Sequence, residues 1–330
     1  MTVLSVLDLC PICEGATTSD ALANSLDLAR HTEGLGYKRF WLAEHHNMPG
    51  IASAATSVVV GHVAAGTKTI RVGSGGVMLP NHAPLVIAEQ YGTLEALFPG
   101  RIDLGLGRAP GTDQNTMKAL RRSLSGNVDN FPAEVAELQA YLSDGNHPAR
   151  LAGIGATPGQ GSNVPLWILG SSLNGAQLAA KMGLPFAFAS HFAPQMLDQA
   201  LATYRQNFQP SKQLDKPYVM LGFNVCGSDT DEAARYLASS GAQALRNLRY
   251  GRPGKLPPPL DGFEESLNPM ELAMLNEMRS CSAIGSMETM KRSISEFIER
   301  TQADELMMAA HIFDHQARLK SYSMAAEAIL

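Results

Sequence analysis

Eight short apolar runs, each trailed by a stretch of helical periodicity, constrain the fold of this chain more than any single motif does. The runs are Val3 to Leu9, Arg39 to Ala43, Thr69 to Val77, Ile102 to Leu106, Pro165 to Leu169, Pro185 to Ala189, Tyr218 to Val225 and Glu305 to Ala310. The helical patterns between them are clearest at Asp20 to Gly34, Ser53 to Ala65, Ala83 to Leu97 and Ala176 to Met182. Strands separated by helices run parallel, and eight such units close into an α/β fold, the (β/α)8 TIM barrel. That barrel takes about 250 residues, so a chain of 330 carries a surplus. The surplus is expected in two insertions, Pro110 to Asn163 after the fourth strand and Arg252 to Ile284 before the eighth, serving as lid or rim within one domain.

Composition narrows the class. With 45% hydrophobic and 17% charged residues and a net charge of −5, the chain has no basic excess for phosphate backbones, which disfavours a nucleic-acid partner. Met1 to Cys10 lacks a basic start and a small-residue cleavage site, and no apolar run reaches the ~20 residues of a membrane span. The expected setting is the cytosol, with no membrane partner. Four cysteines are too few for a disulfide scaffold. Cys10-Pro11-Ile12-Cys13 has redox or zinc-knuckle spacing but lacks a second pair, so reduced structural thiols and no bound metal are expected.

A barrel of this kind keeps its chemistry at the C-terminal ends of its strands, and six of the eight runs end in polar or glycine-rich residues. The second run opens into Glu44-His45-His46, three titratable groups at one mouth, with His45 and Glu44 the catalytic candidates. Gly73-Ser74-Gly75-Gly76 ends the third run, which fits either a bulge or a close approach of something flat to the backbone. The fourth run ends Gly105-Leu106-Gly107-Arg108-Ala109-Pro110-Gly111, where Arg108 offers a fixed cation for a phosphate or an anionic ring. The fifth leads through Gly170-Ser171-Ser172-Leu173-Asn174-Gly175 into a helix, whose free N–H groups and two hydroxyls form an anion cradle, or an ordinary serine cap. His191 and Phe192 after the sixth run, and His311 and Phe313 after the eighth, are candidates for the pocket rim, with Met78 as an apolar neighbour.

These segments also carry a family resemblance. Trp41-Leu42-Ala43-Glu44-His45-His46, Gly73 to Pro80, Gly100 to Arg108 and Leu169-Gly170-Ser171-Ser172, in that order, resemble the bacterial luciferase-like flavin monooxygenases, and within them the single-subunit, alkanal-monooxygenase-like branch. The resemblance spans nearly the whole chain. It implies that FMN binds, normally as reduced FMNH2 supplied by a separate flavin reductase, and that O2 provides an oxygen atom for an aldehyde or a similar small organic substrate. By motif position, Glu44 would lie beneath the isoalloxazine and His45 would act as base or hydrogen-bonding group beside it. A non-proline cis peptide at Gly75-Gly76 would press on the ring, with Gly107 nearby and His46 in the substrate pocket. Arg108, Gly170, Ser171, Ser172 and the Gly175 amide would hold the phosphate, with Lys118 or Arg121 as a second cation. The chain departs from the light-emitting members in having Gly107 where they carry a reactive cysteine before the arginine, and Ser171 where they carry an acid, so light emission is not expected. Homodimers would form through the helices at Ser53 to Ala65 and Ala83 to Leu97.

Two other readings compete. A nicotinamide-dependent oxidoreductase would use Gly105-Leu106-Gly107 as its fingerprint, but the spacing is G-x-G-x-x-x-G, Pro110 obstructs the following helix, and no strand carrying a ribose-binding acid follows. A non-catalytic flavin-binding or partner protein would keep the barrel and lose the site, whereas His45 and Arg108 are both retained.

Overall fold

The structure is a computed structural model that describes residues 2–108, 114–120, 130–144 and 153–329. In chain order the elements are β1 (Val3–Asp8), α1 (Thr18–Gly34), β2 (Arg39–Leu42), α2 (Thr56–Gly66), β3 (Arg71–Met78), α3 (Pro84–Leu97), β4 (Ile102–Gly107), α4 (Gln114–Leu120), α5 (Phe131–Leu142), β5 (Leu166–Gly170) and α6 (Leu173–Met182). There follow β6 (Phe186–Phe188), α7 (Leu197–Asn207), β7 (Val219–Gly227), α8 (Asp231–Arg249), α9 (Pro269–Arg279), β8 (Ser282–Gly285), α10 (Met287–Thr301), β9 (Glu305–Ala309) and α11 (His315–Ile329). Helix starts follow local chemistry. Thr17 and Asp20 make a reciprocal capping box at α1, and Asn268 and Glu271 make another at α9, where Pro269 occupies the first turn.

Every strand pairing in the sheet is parallel, from β1 through β6 and then β7 and β9 back to β1, so the expected eight-stranded barrel closes. The eight expected runs match its strands to within about two residues at each end. A ninth strand escaped the sequence reading. β8 lies within and just beyond the expected second insertion and pairs with the C-terminal half of β7, Asn224 opposite Ser282, as a spur outside the ring.

The first excursion differs from the expected lid, and the second lies over the mouth but with other bounds. The one after β4 contains α5, which buries Phe131, Val135, Leu138 and Tyr141 and packs on α3, so it serves as the crossover helix of that βα unit. The second excursion begins earlier than Arg252. Helix α8, directly after β7, joins the 253–284 segment over the barrel mouth, and the return to β9 is made by α10.

Inward and outward residues alternate along each strand. Outward-facing Phe40, Leu42, Ile102, Leu104, Phe186, Phe188 and Leu306 are buried against the surrounding helices. Inside the barrel, Leu7, Trp41, Trp167, Met220 and Met307 form a second apolar cluster, with the rings of Trp41, Trp167 and Tyr218 edge to face. Beneath it the floor is ionic. Arg39 donates to Glu305 at 2.7 Å and to Asp103 at 2.8 Å, Arg71 also reaches Asp103 at 2.7 Å, and Tyr218 donates to Glu305 at 2.9 Å. The Arg39 guanidinium stacks 4.7 Å over the Trp167 ring, and the Ser5 hydroxyl donates to Glu305. The mutual charges hold Arg39 protonated despite its burial. Toward the C-terminal ends the inward positions shrink to Ala43, Gly75, Gly105, Gly107, Ala187, Ala189, Gly222 and Ala309, and a cavity opens there.

Candidate active site

The cavity at the C-terminal strand ends has a volume of about 1090 Å³, above the ~300–1,000 Å³ usual for a small-molecule site. One arm runs across the barrel mouth, lined by His45, Gly75, Met78, Gly107, Arg108, Leu169 and the segment Gly170 to Ser172 with Asn174 and Gly175. The other runs between α8 and the 253–284 segment, lined by Leu245, Leu248, Leu256, Phe263, Leu275 and Met278. His191, Phe192, Asn224 and His311 also contribute to the cavity wall.

Strand geometry decides which of the expected residues reach this cavity. Ala43 and His45 point inward. Glu44, between them, points the other way, which corrects its expected place beneath a flavin ring. It is only 2% exposed, and its Oε1 accepts hydrogen bonds from His46 Nε2 and His82 Nε2, each at 2.8 Å, while Oε2 accepts the Met78 N–H at 3.2 Å. Burial pushes the Glu44 carboxyl up, but the bonds from His82, His46 and Met78 outweigh it and keep the group below the usual carboxylate range. His46 is therefore a partner of Glu44 and off the cavity wall, which corrects its place in the substrate pocket. The ligand atoms of Glu44, His46 and His82 lie within 4.8 Å of one another, a donor set that a divalent cation could also use. His82 went unnoticed in the sequence because 36 residues separate it from His46.

The peptide between Gly75 and Gly76 is cis, as the resemblance implied. A Cβ on Gly75 would fall 2.7 Å from Leu7 Cδ1 and 3.1 Å from Trp41 Cβ, so a side chain there would have to displace Leu7 and press on Trp41. Gly76 packs on the Gly105 backbone behind the wall and does not line the cavity. Ser172 caps α6 with an extended backbone and no side-chain cap bond, which leaves the first N–H groups of the helix and both serine hydroxyls for a ligand. Gly170 and Gly175 touch across this turn, a Cβ on Gly175 falling 3.3 Å from Gly170 Cα. Arg108, exposed at the end of β4, lines the same arm.

Lys118 does not join this group. It is exposed on α4 and absent from the cavity wall, and Arg121 lies outside the described residues. Phe313 is also off the wall, its carbonyl accepting the Cys13 thiol at 3.4 Å. The thiols of Cys10 and Cys13 are both free, and burial pushes both up.

Behind the wall lies a buried ion pair that the sequence did not suggest. Arg318 of α11 donates to Asp8 at 2.6 Å and to the Ala310 carbonyl at 3.1 Å, directly before His311. Burial drives the His311 imidazole down to about 4; the Arg318 charge and His45 push the same way, and Asp8 opposes them. His191 is lowered to about 4 by burial and by His311. The cavity thus holds two imidazoles that stay neutral at pH 7.

A parallel barrel whose C-terminal mouth gathers His45, Arg108 and the open start of α6 around one cavity has the layout of a small-molecule enzyme site. Residues 1–305 match the family model described as luciferase-like monooxygenase. The chain is 54% identical over 323 residues, 97% of its length and 95% of the relative's, to a "Luciferase-like monooxygenase" of Escherichia coli strain K12. Among solved structures it is similar to apo-MsnO8, with TM-score 0.87 and 33% identity over 99% of this chain and 98% of that one. It shares its fold, at TM-score 0.73 and 15% identity over 99% of this chain and 97% of that one, with the FMN-bound oxygenating constituent of 3,6-diketocamphane monooxygenase from Pseudomonas putida. The chain belongs to the luciferase-like monooxygenase family and is a flavin-dependent monooxygenase. No helix among the described residues is long and apolar enough to cross a membrane.

Proposed function

We propose that the cofactor is FMN, used in its reduced form, and that the substrate is an aldehyde or a similar small carbonyl compound oxygenated with O2. One observation carries this reading: His45, Gly75, Gly107, Arg108 and the open start of α6 all line one arm of a single cavity. The residues fit a phosphorylated three-ring cofactor. Arg108, Ser171, Ser172 and the α6 N–H groups supply the charge and donors that a phosphate needs, and Gly75 and Gly107 leave flat space where a side chain would block a ring. Reduced flavin supplies the electrons that activate O2.

The chain's own residues supply the rest. Arg108 and the α6 start fix the phosphate and so the depth at which the ring lies. His45 holds or moves a proton beside the reacting centre. The α8 arm, mostly apolar, takes the substrate's hydrocarbon part and excludes water, which protects reactive intermediates from hydrolysis. A separate flavin reductase would deliver the reduced cofactor, and the protein would act as a homodimer.

The test begins with titration of FMN into the purified protein, read by its visible spectrum, with F420 as the competing flavin-type cofactor. Arg108→Ala should weaken FMN binding at least tenfold, in line with the loss of one charge-assisted contact. With FMNH2 and 18O2, label should enter the product of an aldehyde, and His45→Ala should lower that turnover 10²-fold or more. Preference for F420, or full turnover without His45, would overturn the reading.

A further inference from the structure

His191 stands on the turn after β6, and that turn is tied to β7 at two points. The Ser190 hydroxyl donates to the Gly222 carbonyl at 2.6 Å, and the Asn224 side-chain amide donates to the His191 carbonyl at 2.8 Å. The N–H groups of Phe192 and Ala193 close the turn onto the Ala189 carbonyl at 3.0 and 2.9 Å. The backbone that carries the imidazole is therefore held before any ligand arrives.

The ring lies directly over Gly222. A Cβ on that glycine would fall 1.9 Å from His191 Nδ1, so the Cα–H bond that takes its place points at this nitrogen. Nδ1 is buried and has no hydrogen-bond partner. A proton on Nδ1 would drive N–H against C–H and strand a donor, which costs more than leaving a lone pair to accept a weakly polarised Cα–H. The neutral ring accordingly keeps its proton on Nε2.

We propose that His191 is a specificity-determining residue that offers a fixed, neutral Nε2–H donor to an acceptor oxygen at the reacting end of the substrate. It thereby selects carbonyl compounds over alkenes of the same shape. The proposal rests on the monooxygenase reading of this cavity and adds to it a residue that chooses the substrate. A donor with one possible tautomer rejects a partner that cannot accept, because the N–H and its surroundings are then left unpaired. Burial and the neighbouring His311 keep the ring uncharged at pH 7, so the contact recognises an oxygen without delivering a full charge. Gly222 is part of the device, since any larger residue there would evict the ring.

The experiment uses the protein supplied with FMNH2 and O2 and two matched probe pairs, octanal with 1-octene and cyclohexanone with cyclohexene. 15N NMR of the histidine rings, with His191→Phe as the assignment control, should show His191 as the Nε2–H tautomer. Wild-type protein should oxygenate a carbonyl probe in preference to its alkene partner. That ratio should fall at least tenfold in His191→Phe and in Gly222→Ala and recover in His191→Gln, which restores an N–H donor. FMN affinity, set at the Arg108 end, reports that each variant is folded. The proposal is overturned if the ring is Nδ1-protonated or charged at pH 7, if His191→Phe keeps the wild-type ratio, or if FMN-binding wild type oxygenates no carbonyl probe. Failure of the underlying reading looks different: wild type would neither bind FMN nor consume O2 with FMNH2.

Discussion

Among single residues, Asp103 ties together the ionic floor of the barrel. It is fully buried and takes bonds from Arg39, Arg71 and the Trp41 indole, so removing its charge leaves two guanidinium groups under-compensated in the barrel floor. Asp103→Asn should cost about 3–5 kcal/mol in urea unfolding, the usual effect of breaking one side of a buried ion pair. The neutral imidazoles of His191 and His311 impose a pH dependence of the opposite kind to a salt-bridged histidine. Their folded values, both about 4, lie below the ~6.5 of an unfolded chain, so the unfolded state binds more protons between those limits. Their contribution to stability is complete above about pH 6.5 and is lost as the pH falls toward 4. The urea midpoint should drop across that window, and less so in a His191→Phe/His311→Phe double variant.

At the scale of elements, α3 is coupled to the loop ahead of β5 by a glycine contact. A Cβ on Gly92 would fall 2.3 Å from Gly159 Cα and 2.8 Å from the Pro158 carbonyl, both of them backbone. Gly92→Ala should therefore destabilise the protein by about 1–3 kcal/mol, measured as a lowered thermal midpoint. The elements themselves were largely legible in the sequence, because apolar runs of strand length separated by helical periods leave little choice of topology. What could not be read was how distant segments meet. Glu44 and His46 stand together in the sequence, yet their shared partner His82 arrives from beyond β3, and the strand pleat that turns Glu44 from the cavity depends on where β2 begins. The roles of Gly222 beneath His191 and of Arg318 behind His311 likewise arise only once the barrel has closed. β8 was missed because Ser282–Gly285 is only four residues long, and its alternating burial falls on Ala283 and Gly285, residues too small to mark an apolar run. By contrast, the meeting of Arg108 with Ser171 and Ser172 on one cavity wall was readable, since each belongs to a strand end and adjacent strands must bring those ends together.

For the whole molecule, the proposed homodimer makes a direct claim about the outer surface. Val58 on α2 is 71% exposed and Leu97 on α3 is 64% exposed, apolar side chains on the two helices expected to pair. Sedimentation should give twice the chain's mass, and Val58→Glu with Leu97→Glu should halve it; a monomeric wild type would end the claim. Inside, the barrel is plugged at its base by the Arg39, Asp103 and Glu305 charges, with the tryptophans above them. Among the described residues the reaction chamber is consequently closed at its base. Whatever enters or leaves the chamber does so away from that ionic floor, so substitutions among those charges should act on folding rather than on molecular exchange.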